Sequence, residues 1–168
     1  MIITCFIIAF VAIFIFAKLM HKNVYLSTLE PLPAETTLLE LEGVKIFEYR
    51  EFGRATKWLN CKVRLSNKRV VFASKALLQS SYVLSGVLTW DEGANGASAP
   101  VGEAIKTGYV QLTTQRQSWT VEHDGEKTFL VIPVQVHGAD ALVVPSRFKV
   151  QTPDAGKLFS LAQGLYDS

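Results

Sequence analysis

Cysteine, histidine and net charge are all scarce in this sequence, and each scarcity removes a class of function. The two cysteines among 168 residues, Cys5 and Cys61, lie in an apolar N-terminal run and in a β-like segment. Such a pair builds no disulfide framework, and both are read as reduced. The three histidines, His21, His123 and His137, are scattered, and no H-x-x-H, C-x-x-C or H-E-x-x-H spacing gathers ligands for a metal. G-x-S-x-G is absent. The glycine-rich stretch DEGANGASAPVGEAIKTG (91–108) lacks the G-x-x-x-x-G-K-[ST] spacing of a phosphate cradle. The expectation is a protein without catalytic residues, metal or cofactor, hence not an enzyme. Seventeen Lys and Arg against fifteen Asp and Glu leave a formal charge of +2. That balance argues against nucleic acid as a partner, and any basic surface has to arise by local clustering.

A long apolar run is present. Ile2 to Ala17 carry no charge, and Leu19 and Met20 extend the run past Lys18, whose stem can snorkel to an interface. About nineteen residues make about 28 Å of helix, enough for a bilayer core. Nothing basic precedes the run and FAKLMH is a poor cleavage context, so residues 1–22 are read as an uncleaved transmembrane anchor helix rather than a signal peptide. Lys18 and Lys22 flank its C-terminal end, with His21 between them. The positive-inside rule then places the following domain in the cytoplasm, making this a single-pass protein of the cell (inner) membrane.

Residues 23–42 read as a linker in which Pro33 starts a short helix carrying Leu38, Leu39 and Leu41. From 43 to 168 the texture is that of a β domain. Runs rich in Val, Phe, Tyr, Trp and Thr fall at about 44–50, 57–65, 69–75, 81–90, 108–114, 117–122, 127–136 and 141–150. Seven to eight strands with close turns predict a mainly β, antiparallel sandwich or small barrel. Pro133 and Pro145 interrupt two runs and are expected at an edge, bend or bulge. Thr152, Pro153 and Asp154 form a helix start, and Leu158, Leu161, Ala162 and Leu165 recur at helical spacing, predicting a C-terminal helix over 152–166 that closes one end of the barrel.

The segment VRLSNKRVVF (63–72) predicts a hairpin turning at Asn67-Lys68, with Asn67 at positive φ. Leu65 then faces Val70 and Val63 faces Phe72, and with Cys61 in phase these make an inner face. Lys62, Arg64 and Arg69 fall on the outer face, with Lys68 at the tip. Between Lys45 and Lys75 nine basic residues meet only Glu48 and Glu51, whereas the preceding linker holds Glu30, Glu35, Glu40 and Glu42. On a tethered domain, Lys62, Arg64, Lys68 and Arg69 are candidates to contact anionic lipid headgroups or a protein partner; outward lysines and arginines also simply keep a sheet edge soluble. The 91–108 loop is a second candidate contact surface. Cys61, Trp58, Trp90 and Trp119 are read as core residues, and the histidines as surface or turn residues.

The order of elements, carried by EGVKIFEYREFGR, LSNKRVVF and SRFKVQTPDAGKLFSLAQGL, resembles the pleckstrin-homology-like superfold, nearest its bacterial PH and GRAM-like branches. A T-N-K-R turn is common there, and Ser66 replaces the Thr. The resemblance spans roughly 40–166 and implies a bent seven-stranded barrel closed at one end by the terminal helix. It also implies a binding role, for headgroups or proteins, often beside a membrane segment. Lys62-Val63-Arg64 matches the K-x-R part of a headgroup signature, but in the family that signature sits in the first interstrand loop, so no headgroup site is carried over. The resulting expectation is a non-enzymatic, membrane-anchored adaptor or scaffold binding a protein partner or anionic headgroups. The alternative is an accessory structural subunit assembled into a membrane complex through its apolar helix, where Ala9, Ala12 and Ala17 allow moderately close packing.

Overall fold

The computed structural model describes residues 24–50, 56–75, 80–90, 110–137 and 143–164. The apolar run with Lys18 and Lys22, and the 91–108 loop, lie outside the described residues. Among the described residues no helix is long and apolar enough to cross a membrane.

Eight strands are present: β1 (Thr37–Arg50), β2 (Thr56–Ser66), β3 (Arg69–Ser74), β4 (Val83–Trp90), β5 (Val110–Thr114), β6 (Thr120–Asp124), β7 (Lys127–His137) and β8 (Val143–Gln151). One helix follows, α1 (Ala155–Gly164). The sheet runs β5-β4-β3-β2-β1-β8-β7-β6, and β5 also pairs with β7, which closes seven strands into a barrel. Each β-rich segment of the sequence contains a strand among the described residues, although residues 117–118 of the sixth belong to a 3₁₀ turn. The helix starts at Ala155, two residues later than the sequence predicts, because residues 153–154 form a turn in which the Asp154 N–H donates to Thr152 Oγ1 at 3.2 Å.

Strand β7 has two partners on one flank. Gln111–Thr113 of β5 lie along residues 135–137, and β6 lies along residues 127–131. A 3₁₀ turn at Arg116–Ser118 separates β5 from β6. Pro133 falls in the gap between them, where its missing N–H costs no ladder bond, and its carbonyl accepts the Thr114 hydroxyl at 2.5 Å. Pro145 pairs with Gln135, one residue before the described β1–β8 pairing begins at Ser146.

Two features depart from the expected antiparallel barrel preceded by a linker. First, β4 and β5 run parallel, with Gly86 opposite Val110 and Trp90 opposite Thr114. Parallel neighbours need a crossover of a dozen or more residues, and the chain between Trp90 and Val110 is long enough. Gly86 lets the strands approach closely at this contact, where a Cβ would stand 3.3 Å from Leu112 Cδ1 and 3.4 Å from the Val110 carbonyl. Gly86→Ala is expected to cost about 1–2 kcal/mol in urea unfolding, as overpacking rather than lost burial.

Second, residues 37–42 are strand and not a linker helix. Pro31, Pro33 and the positive φ of Ala34 make a turn, after which Thr37, Leu39 and Leu41 pair with Ser66, Leu65 and Val63. Leu39 and Leu41 pack on the core, which a short helix ahead of the barrel would not achieve.

The barrel interior is filled by Ile46, Cys61, Val63, Leu65, Val70, Phe72, Leu88, Leu112, Leu130, Ile132, Phe148 and Val150, and Ala155, Leu158 and Ala162 of α1 belong to the same cluster. A smaller apolar cluster lies outside the barrel wall. There Leu26 is buried with Val71, Ala73, Leu84 and Val87, so the segment leading in from the N-terminus is fastened to β3 and β4.

Candidate functional site

The hairpin has the register read from its sequence: Leu65 opposite Val70, Arg64 opposite Val71 and Val63 opposite Phe72. The turn differs from the expected one. Among the described residues only Ala34 and Asn60, besides glycines, have positive φ, so Asn67 does not. Ser66 Oγ instead accepts the N–H groups of Lys68 at 3.2 Å and Arg69 at 3.0 Å, a side-chain turn that a serine supports as a threonine does. Asn67 faces the incoming chain. It accepts the Thr36 N–H at 2.8 Å and donates to the Ala34 carbonyl at 3.0 Å.

The four candidate cations lie along the β2–β3 hairpin, and three meet carboxylates from the segment expected to be a linker. Lys62 Nζ lies 2.6 Å from Glu40 and 2.8 Å from Glu42, and Arg64 Nε lies 2.7 Å from Glu40. Arg69 is not a surface cation: its side chain is only 8 % exposed, as is that of Glu35. Arg69 Nε and Nη2 donate to the two Glu35 oxygens at 2.9 and 2.8 Å, and Nη2 also donates to the Glu30 carbonyl at 2.7 Å. The Ser66 hydroxyl and the Leu32 N–H donate to the same carboxylate, each at 2.7 Å. Of these four, only Lys68, exposed at the tip, has no ion pair with a described residue.

Ionisation follows from these contacts. Burial pushes the Glu35 carboxyl up, and the hydrogen bonds from Arg69, Leu32 and Ser66 together outweigh it, so its pKa lies below the usual carboxylate value. Glu40 is likewise raised by burial and lowered further by Lys62 and Arg64, with a net fall. Hydrogen bonds to Glu40 and Glu42 raise the Lys62 pKa. The hairpin end is thus a neutralised clamp between the 30–42 segment and the β2–β3 turn.

The residues read as core are placed there or against it. Trp119 is buried and donates to Thr114 Oγ1 at 3.1 Å, and Trp58 and Trp90 pack partly buried on the core. His123 is exposed on β6, beside Thr128. Cys61 is fully buried, and burial pushes its thiol up to about 12. In a Cys5→Ser chain, Cys61 is expected to stay unreactive toward a disulfide reagent at pH 8 until denaturant is added; reaction in the native state would place it outside the core.

A second cationic surface, absent from the sequence reading, lies on the outer face of β2, β1, β8 and β7. Strand pairing sets Lys57, Phe47, Lys149 and Val131 in one row and Tyr49, Arg147 and Pro133 in the next. Lys45, Gln151 and Phe129 form a third. The signal was legible in KIFEY and RFK, where cations and aromatics alternate with the period of a strand. It was obscured because the two segments are about a hundred positions apart and meet only through the β1–β8 pairing.

No family model, curated protein or solved structure matches the chain.

Proposed function

We propose that the chain is a non-enzymatic, single-pass membrane-anchored adaptor, in which a pleckstrin-homology-like barrel is held at the membrane face to bind a protein partner or anionic headgroups. The observation that carries this reading is the way the chain enters the barrel. Only residues 21–23 separate the apolar run from Val24, whose carbonyl accepts the Leu84 N–H at 2.7 Å, and Leu26 is buried against β3 and β4. An anchor so closely coupled holds the barrel against the headgroups rather than on a long leash. The closed seven-strand barrel with a terminal helix and the L-S-N-K-R turn support the pleckstrin-homology-like part, whereas the parallel β4–β5 pair departs from an antiparallel barrel.

The full-length chain is expected to remain in the membrane pellet after alkaline carbonate washing, and extraction by carbonate overturns the anchored reading. Gentle-detergent purification with crosslinking then distinguishes the roles. A lone chain or one carrying a substoichiometric partner supports the adaptor. A stoichiometric set of membrane proteins, lost when residues 2–20 are exchanged for an unrelated apolar helix, makes it an accessory subunit instead.

A further inference from the structure

We infer that the outer face of β2, β1, β8 and β7 docks an acidic segment of a protein partner, one that also carries apolar side chains. The inference deepens the adaptor reading and rests on it for the position of the membrane.

Charge complementarity is the first argument. Lys45, Lys57 and Arg147 are exposed on this face, and among the described residues none has a carboxylate within ion-pair distance. Lys149 is held at 2.6 Å by Glu122 at the β6 margin. Lys127, farther along β7, is flanked by Asp124 and Glu126 in its own turn, so the unbalanced charge is centred on β1, β2 and β8. The hairpin has the reverse character: its cations were equally promising in sequence, but this chain's own glutamates already occupy three of them.

The ground beneath the cations is apolar. Phe47 and Phe129 meet edge to face at 6.3 Å, with Lys57 Nζ 5.6 Å from the Phe47 centroid and Lys149 Nζ 6.0 Å from that of Phe129. The lysine stems cover aromatic surface while their charges reach solvent. Leu59 and Tyr49 on the same side are 50 % and 42 % exposed, so an incoming chain meets apolar anchors as well as charge. Beside Lys45 the face opens into a cleft of about 320 Å³ lined also by Lys127, Glu126 and Thr152.

Position decides between a protein and the chain's own leaflet. The segment from the apolar run is fastened to β3 and β4; β8 is three strands from either, and β1 is two from β3 and three from β4. The centre of the cationic face, at Lys45 and Arg147 on β1 and β8, is therefore turned away from the wall that receives the segment. Three connecting residues span about 10 Å when extended, too little to bring the leaflet round to it. What meets this face comes from the aqueous side.

The test uses the full-length chain in neutral detergent and a fluorescein-labelled peptide of alternating Glu and Phe, read by anisotropy. The variant Lys45→Glu/Arg147→Glu is expected to weaken binding at least about tenfold, and the charge-matched control Lys68→Glu/Lys157→Glu by less than about twofold. All four side chains are exposed, so unchanged thermal unfolding is expected for both variants. Equal loss in the two variants, or no loss in either, overturns the proposal. A second arm places an environment-sensitive dye on Leu59→Cys in the Cys5→Ser background. A blue shift with the peptide supports the proposal, and a blue shift on reconstitution into phosphatidylserine vesicles without peptide overturns it in favour of lipid. Failure of the anchored reading shows separately, as release by carbonate with peptide binding intact.

Discussion

Glu35→Ala is expected to lower the unfolding free energy by about 3–5 kcal/mol at neutral pH, because it leaves the Arg69 guanidinium buried without its counterion. Burial of both side chains, four hydrogen bonds to one carboxylate and the closure of a turn thirty-four residues away set this pair apart from the exposed ion pairs around it. An exposed pair such as Arg64 with Glu40 contributes far less, since solvent screens it. The expected loss has a pH signature. A carboxyl whose folded pKa lies below its ordinary value of 4.5 stabilises the fold fully above that value, and the contribution fades as pH falls through the folded pKa. Urea unfolding of wild type and Glu35→Ala should therefore differ most at pH 7 and converge in strong acid. A difference that stays constant with pH would mean that packing, not charge, is what alanine removes. Glu40 adds to acid sensitivity with the same sign. The raised pKa of Lys62 acts at the other limit: its contribution is complete below the ordinary lysine value and is lost only as pH rises through the folded one.

Phe148→Ala is expected to cost about 3–5 kcal/mol, with a lower urea midpoint and an unchanged slope. Phe148 is 1 % exposed and makes edge-to-face contacts with Trp58 at 5.4 Å and Phe72 at 5.6 Å. It ties β8 to β2 and β3 across the interior, so its removal leaves a void lined by strands that pair with one another and resist collapse. A loss below about 1.5 kcal/mol would show that the barrel relaxes into the void, and the interior would then be softer than its closure implies.

Strands were readable from composition and period two because both are local. VRLSNKRVVF carries its inner face and its turn within ten residues, and the observed register follows from them. The turn at Thr152-Pro153-Asp154 that leads into the helix is equally local. The linker reading of 37–42 failed because TTLLELE suits a helix in isolation, and only the vacant edge of β2 draws it into the sheet. Arg69 was assigned to the outer face correctly by phase but wrongly to solvent, since the segment that covers it begins more than thirty positions earlier. The open basic face was missed for a related reason: its residues belong to strands that are neighbours in space and distant in sequence.

The sequence by itself determined the β character, the hairpin register, the terminal helix and an apolar run about nineteen residues long, because backbone preference, side-chain alternation and turn chemistry act over a few neighbours. The tertiary structure alone decided that β5 lies parallel to β4, that seven strands close, and which cations are matched by carboxylates. Those outcomes depend on which strand edges remain free once the core is packed. Charge pairing follows from that packing, since a glutamate neutralises the cation it is folded against and not the one nearest in sequence.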